Sequence, residues 1–444
     1  MESETPRSHP DPQIDRRRLL AMAGLGAGMT AAASIGWPSV AQAATKATTK
    51  PKGGKSQPTT KPASKSATPT TLAAKPVRKV KLGFIALTDA APLIMAKELG
   101  FFAERSLDVD VLKQASWPAL RDALLNNQID AAHTLFSLPF SVATGIGGNR
   151  SKDLKIAMVL NQNGQGITLQ RDIDEVPYGD LPAAKKWLEG KDAPAMGMTF
   201  PGGTHDIWLR YWLAATKADT SRIKISPIPP PQMVQNMSVG NIQAYCVGEP
   251  WNAVAVQREV GFTYLATQDL WLNHTEKALV AGPKFSKDTD TLSDVMGAVL
   301  KACKWLDDLN NRSKAADTLS AEKYVNAPAD DIRERLVGKY NLGSGIGTRD
   351  FAGNQMQFFR GGNVTMPRRG HAIWFMSQFQ RLGLLKEAPP FQSLADELIL
   401  TDLYAKVAAA EGVAVPADDM ASFDVKLDKT TFDPKKPQQE AARP

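Results

Sequence analysis

From residue 79 onward the chain alternates short apolar runs of period two with segments whose apolar positions recur at helical spacing. Residues 79–87 predict a strand, with Thr88 and Asp89 as the turn or cap that follows. A helix over 91–99 ends at Gly100, and 107–112 alternate as a second strand. Residues 116–125 predict a helix with Ser116 at its start and Pro118 in the first turn, where proline is tolerated. Short strands follow over 129–133 and 156–160. This β-α-β-α-β order predicts an α/β sheet of parallel strands.

A second alternation begins beyond a hinge-like stretch, 161–169. It predicts helices over 181–188, 206–215 and 231–237, strands over 195–200, 223–228 and 244–248, and a turn at 249–252. Residues 278–281 are expected to return the chain to the first sheet. Helices are expected over 291–311, 313–324, 328–339, 373–382 and 396–410, and 413–444 as a surface-wrapping or mobile tail. The reading is therefore two α/β lobes, the second inserted into the first: 79–168, then 169–262, then 263–412. Open sheets bind ligands beyond the carboxyl ends of their strands, in the crevice between such units. Thr88, His133, residues 202–205, Gly248 and Glu249 all lie at or just after predicted strand ends.

Charge changes the picture only at the front end. The net charge of the 444-residue chain is +7, but residues 1–78 carry +8 and the remainder −1. The folded part is near neutral, so its basic total says nothing of a nucleic-acid partner, and none is expected. Residues 1–43 read as an export leader: Arg16 and Arg17 as a twin arginine, an apolar stretch over 21–35 too short for the ~20 residues of a membrane span, and Ala41-Gln-Ala43 as the cleavage signal. The leader resembles a twin-arginine (Tat) signal and implies the periplasm. No cysteine near the cleavage site offers a lipid anchor. Residues 44–78 are Lys, Pro, Thr, Ser and Ala without one acid, and are expected to be a disordered linker. Cys246 and Cys303 sit in apolar surroundings and read as core thiols, with no metal-type Cys/His spacing.

Candidate chemistry gathers at Pro-Gly-Gly-Thr-His-Asp, 201–206. It reads as a strand end, a glycine turn and a helix start. Gly202 and Gly203 would leave backbone N–H groups open to a small anion, Thr204 would cap the helix, and His205 would point at the same anion.

Several stretches are long and unusual: residues 82–92, 115–117, 129–133, 163–165, 201–213, 230–233, Cys-Val-Gly-Glu-Pro-Trp-Asn at 246–252 and Asn-His-Thr-Glu-Lys at 273–277. On these the chain resembles the nitrate-binding proteins of ABC nitrate/nitrite importers, in the wider family that includes bicarbonate- and sulfonate-binding proteins. The resemblance runs from about residue 79 to about 392. It implies a two-lobed type II periplasmic-binding fold that captures nitrate or nitrite in a cleft and passes it to a membrane permease and its ATPase. It further implies that Trp117 packs on the ion, that Gln165 and His205 hydrogen-bond it, that Lys277 supplies the countercharge, and that Pro231 and Val247 line the pocket. His133 and His274 also match, without an assigned role. Bicarbonate-binding relatives carry an acid in place of the lysine and use calcium; Lys277 therefore favours nitrate, and no metal or cofactor is expected. Thr275 stands where the family usually has proline. Glu249 is expected to be structural. Alternatives are a receptor for bicarbonate, cyanate or sulfonate, a cytoplasmic nitrate sensor, which the leader argues against, and an enzyme of the same fold, for which no nucleophile–base pair is apparent.

Overall fold

The structure is a computed structural model and describes residues 76–190 and 192–444. The leader over 1–43 and nearly all of the linker over 44–78 lie outside the described residues. The linker's last residue, Arg78, already belongs to the first strand.

In chain order, β1 (Arg78–Phe84) leads through a 3-10 turn at Thr88–Ala90 into α1 (Ala91–Glu98). Then come β2 (Leu107–Lys113), α2 (Trp117–Leu125), β3 (Ala131–Leu135), α3 (Leu138–Thr144) and β4 (Lys155–Gln162). The Ser116 hydroxyl caps α2 by accepting from the Ala119 N–H at 3.3 Å, with Pro118 inside the first turn as expected. The chain next crosses into the other sheet with β5 (Gln165–Gln170), α4 (Leu181–Leu188), β6 (Ala195–Met198), α5 (Thr204–Thr216), β7 (Lys224–Pro227), α6 (Met233–Ser238), β8 (Ala244–Gly248), α7 (Trp251–Gln257) and β9 (Gly261–Ala266). A one-turn helix, α8 (Thr267–Leu270), and β10 (Thr275–Ala281) bring it back.

The first sheet has the order β2-β1-β3-β10-β4 and the second β7-β6-β8-β5-β9. Both are mixed. β10 runs antiparallel to β3 and β4, and β5 antiparallel to β8 and β9, which corrects the expectation of parallel strands throughout. The hinge-like stretch 161–169 is also corrected: most of it is strand, split by a turn at Asn163 and Gly164. Its run of Asn and Gln concealed the strand because those amides are buried and bonded to distant residues, Gln162 to Arg360 and Asn163 to the Asn354 and Gln355 carbonyls. The second sheet accordingly gains β5 and β9, one strand at each end of the stretch expected to form it.

Helices close the first sheet: α9 (Thr289–Asp307), α10 (Arg312–Leu319), α11 (Ala329–Val337), α12 (Arg369–Arg381), α13 (Phe391–Leu398) and α14 (Thr401–Ala410). The single helix expected over 396–410 is two, because Ile399 is extended and bridges to Ile156 in β4. The C-terminal segment is packed down. Strands Phe423–Val425 and Thr430–Phe432 form a hairpin, Val425 and Phe432 are buried, and Phe423 stacks on Trp271 at 4.2 Å, 3° from parallel. No described helix is long and apolar enough to cross a membrane.

If the C-terminal hairpin is part of the core, Phe432→Ala loses about 3–5 kcal/mol of stability, the ordinary cost of truncating a buried aromatic. Denaturant unfolding measures it; an unchanged midpoint contradicts the packing described.

Candidate functional site

One lysine organises the site. Lys277 on β10 is fully buried, and its ammonium lies 2.7 Å from Asp89 Oδ2 and 2.9 Å from Glu276 Oε1. Burial alone would strip its proton, but the two carboxylates outweigh burial and hold its pKa above the usual lysine value. Neighbours in a strand normally point to opposite faces. Glu276 and Lys277 meet because β10 bulges there: Thr275 pairs with Gln162 and Lys277 with Asn161, leaving Glu276 as the extra residue.

Asp89, in the 3-10 turn after β1, gathers donors from both lobes. His133 Nε2 on β3 is 2.7 Å from Oδ1, and Gln165 Nε2 donates to Oδ2 at 3.1 Å. Burial pushes the Asp89 carboxyl up, but the Lys277 charge and His133 dominate and keep it far below the usual carboxylate range. Glu276 is held differently. Burial raises its pKa despite Lys277, the Thr204 hydroxyl, which donates to Oε1, and Trp208 Nε1, which donates to Oε2 at 2.7 Å.

The amide donation to Asp89 settles how Gln165 points, and so leaves its Oε1 as an acceptor. That oxygen receives His205 Nε2–H at 2.8 Å and the Lys277 ammonium at 3.2 Å. His205 Nδ1 takes the Thr199 hydroxyl proton at 2.8 Å. His205 is therefore a neutral ring presenting one N–H, and burial, then the Lys277 charge, holds its pKa well below the usual value. Trp117 is fully buried at the start of α2, with its ring 5.7 Å from that of His133 and its Nε1–H without a protein partner. Gly248 ends β8 against this cluster. A Cβ there would lie 2.5 Å from Gln165 Oε1 and 3.4 Å from Asp89 Oδ2, so only glycine lets the strand approach.

The glycine turn behaves otherwise than its sequence suggested. Gly202 adopts a left-handed φ of 67° and gives its N–H to the Asp206 carboxylate at 2.8 Å, while the Gly203 N–H goes to the Phe200 carbonyl at 2.8 Å. Neither N–H is open to an anion. Gly203, not Thr204, is the N-cap of α5. Thr204 is the first helical residue, and its hydroxyl serves Glu276 instead. A Cβ on Gly203 would meet Leu135 Cδ1 at 2.5 Å, so this glycine serves close packing of the lobes. Val247 is buried on β8. Pro231 is exposed on the outside of a 3-10 turn, and it is Pro230 that is buried.

Gln165, His205 and Lys277 thus come together, with Thr204 joined to them through Glu276 and Trp117 through the His133 ring, whose Nε2 meets Asp89. Asp89 and Glu276 were not foreseen as site residues, and His133 and Gly248 were placed at the crevice without a role. Their signals were present: a buried acid at a strand end, an acid beside the lysine, a histidine in an apolar strand, and a glycine ending a strand. Glu249 has a structural setting. Its carboxylate accepts from the Ala253 N–H at 3.3 Å and lies 3.6 Å from the buried Arg335. Thr275 bonds the His371 Nδ1 at 2.5 Å. Among the described residues no group of His, Cys, Asp and Glu is arranged to hold a metal ion.

The NMT1-like family profile matches residues 73–320. The chain belongs to the NMT1-like family. It is 38% identical over 376 residues to the nitrate/nitrite binding protein NrtA of Nostoc sp. (strain PCC 7120), a match covering 81% of this chain and 84% of that protein. It is 32% identical over 328 residues to the nitrate import ATP-binding protein NrtC of Synechocystis sp. (strain PCC 6803), covering 73% of this chain and 49% of that one. The crystal structure of the periplasmic nitrate-binding protein NrtA from Synechocystis PCC 6803 superposes with a TM-score of 0.78 at 35% identity, over 82% of this chain and 98% of that structure. The family resemblance and the periplasmic-binding-protein fold expected from the sequence both stand.

Burial of neutral histidines at the site gives a pH signature. His274, beside Glu276, is held down at about 3 by burial, against a backbone bond to Thr275. Unfolded, it takes a proton near 6.5, so its share of stability is lost as pH falls from about 6.5 towards 3, at about 1.4 kcal/mol per pH unit. His274→Gln should flatten the stability–pH slope between pH 6.5 and 4.5 by that amount in paired denaturant titrations; identical slopes contradict the assignment.

Proposed function

We propose that the chain is the solute-binding component of an ABC importer, taking nitrate, with nitrite as a close second, into the site between the two sheets. One observation carries this reading: a neutral histidine N–H and a buried ammonium converge on one acceptor, Gln165 Oε1. Nitrate is planar, carries one charge and offers three acceptor oxygens. Moved onto it, His205 Nε2–H and the Lys277 ammonium supply donors, and the Trp117 ring supplies a face. A buried monoanion needs one positive charge and satisfied oxygens, which this set offers. The side chains are fully buried, so the anion enters when the lobes part and is enclosed when they close. It is bound and released unchanged.

Bicarbonate with calcium fits less well. Between Asp89 and Glu276, where a cation would be held, stands the Lys277 ammonium. The relatives named above support an ATPase partner, and with it a membrane permease that receives the anion. We place the lobe boundaries at the strand changes near Gly164 and Ala266, and propose export by the twin-arginine pathway with cleavage after Ala43.

Calorimetric titration of the mature protein is expected to show nitrate binding that exceeds binding of bicarbonate with calcium. His205→Ala should weaken it about 10- to 150-fold, the ~1.5–3 kcal/mol of a hydrogen bond to a charged group. A folded His205→Ala protein with unchanged nitrate affinity refutes the role given to His205. Export is tested separately. Replacing Arg16 and Arg17 by lysine should retain the precursor in the cytoplasm on cell fractionation, and normal appearance of the mature chain in the periplasm rules the twin-arginine route out.

A further inference from the structure

We propose that Glu276 is a proton-binding member of the site, so that the chain takes up its monovalent anion together with one proton. This rests on the anion reading above. Charge must balance where the side chains are fully buried. One ammonium, Lys277, already lies 2.7 Å from Asp89 and 2.9 Å from Glu276, and all three side chains are fully buried. His205, fully buried with its Nε2 3.5 Å from the Lys277 ammonium, is neutral. An incoming monoanion makes three negative groups around one positive one. Like charges at such separations are poorly screened inside a protein, and a buried acid escapes the repulsion by taking a proton.

The hydrogen bonds decide which acid takes it. Both oxygens of Asp89 are met by donors: His133 on one, Gln165 and Lys277 on the other. On Glu276, Oε2 is met by the indole Trp208 Nε1–H, which can only donate. Oε1 is met by Lys277 and by the Thr204 hydroxyl, which can turn and accept. The proton therefore sits on Oε1, given to Thr204 Oγ1, while Lys277 turns its freed N–H towards the anion. A solvent proton is taken up, the carboxylate becomes a carboxylic acid, and no other bond changes. The titratable groups facing Glu276 are Lys277 beside it, His205 on α5 at 3.5 Å, His274 at 3.5 Å, Asp89 on the far side of the Lys277 ammonium and Cys246 on β8. Burial, which already pushes the Glu276 carboxyl up, acts in the same direction.

Calorimetric titration of nitrate into the mature protein, in pairs of buffers differing in ionisation enthalpy and at pH values from 5 to 9, counts the protons directly. Uptake should approach one proton per anion above the pKa of Glu276 in the free site, with affinity falling up to tenfold per pH unit there. In Glu276→Gln the uptake and the slope should vanish, whatever its affinity. Nitrate binding by the wild type without proton uptake at every pH overturns the proposal, as does a Glu276→Gln variant that keeps the slope. Failure of nitrate, nitrite and bicarbonate alike to bind overturns the anion site itself, and the proton site with it.

Discussion

A lysine ammonium shut away from water must be matched by negative charge, and everything at the centre of this molecule answers to that need. Lys277 cannot be hydrated, so Asp89 and Glu276 hold it. Those acids must in turn be satisfied, which draws in His133, Gln165, Thr204 and Trp208. Gln165, Thr204 and Trp208 come from the lobe of the second sheet, while Asp89, Glu276 and Lys277 come from that of the first. The polar network is thus also the join between the lobes, and a ligand that competes for Lys277 or His205 competes for that join. Binding and closure become one event in such an arrangement.

The backbone prepares the meeting. A bulge on β10 turns two successive side chains towards one point. Gly248 lets β8 come close to Gln165 and Asp89, and the segment after it ties the lobes: the Thr88 N–H donates to the Glu249 carbonyl at 2.8 Å, and Trp251 Nε1 to the Ala86 carbonyl at 2.8 Å. Behind this seam the Glu249–Arg335 pair is buried as well, with the Arg335 guanidinium over the Tyr340 ring at 4.3 Å. The seam lies next to the site, through Asp89 one residue after Thr88 and Gly248 one before Glu249.

Much of this was legible in the residues, for physical reasons that differ by element. The strands of the first sheet and the helix over 181–188 carry plain apolar periodicity, and Ser116 and Pro118 mark the start of α2 by ordinary capping chemistry. The three residues brought to one point could be named because their stretches resemble a family. What was not legible depends on the third dimension. Asn161, Gln162 and Asn163 look like a loop, yet their amides are buried against partners far along the chain, Lys277, Arg360, Asn354 and Gln355. Strict strand alternation turns Glu276 away from Lys277, and only the bulge on β10 brings the two together. The free N–H groups expected at Gly202 and Gly203 are consumed by Asp206 and Phe200, partners set by the turn itself. The exposure of Pro231, beside a buried Pro230, depends on which way a 3-10 turn faces, which a run of three prolines does not show.

The claim on which the rest depends is that an anion displaces Gln165 from the donors of Lys277 and His205. A crystal structure of the mature protein grown with nitrate tests it most directly. The account predicts planar density between the lobes, in hydrogen-bond contact with Lys277 Nζ and His205 Nε2 and packed on the Trp117 ring. Density for the anion elsewhere, with Lys277 still bonded only to Asp89, Glu276 and Gln165, would contradict it.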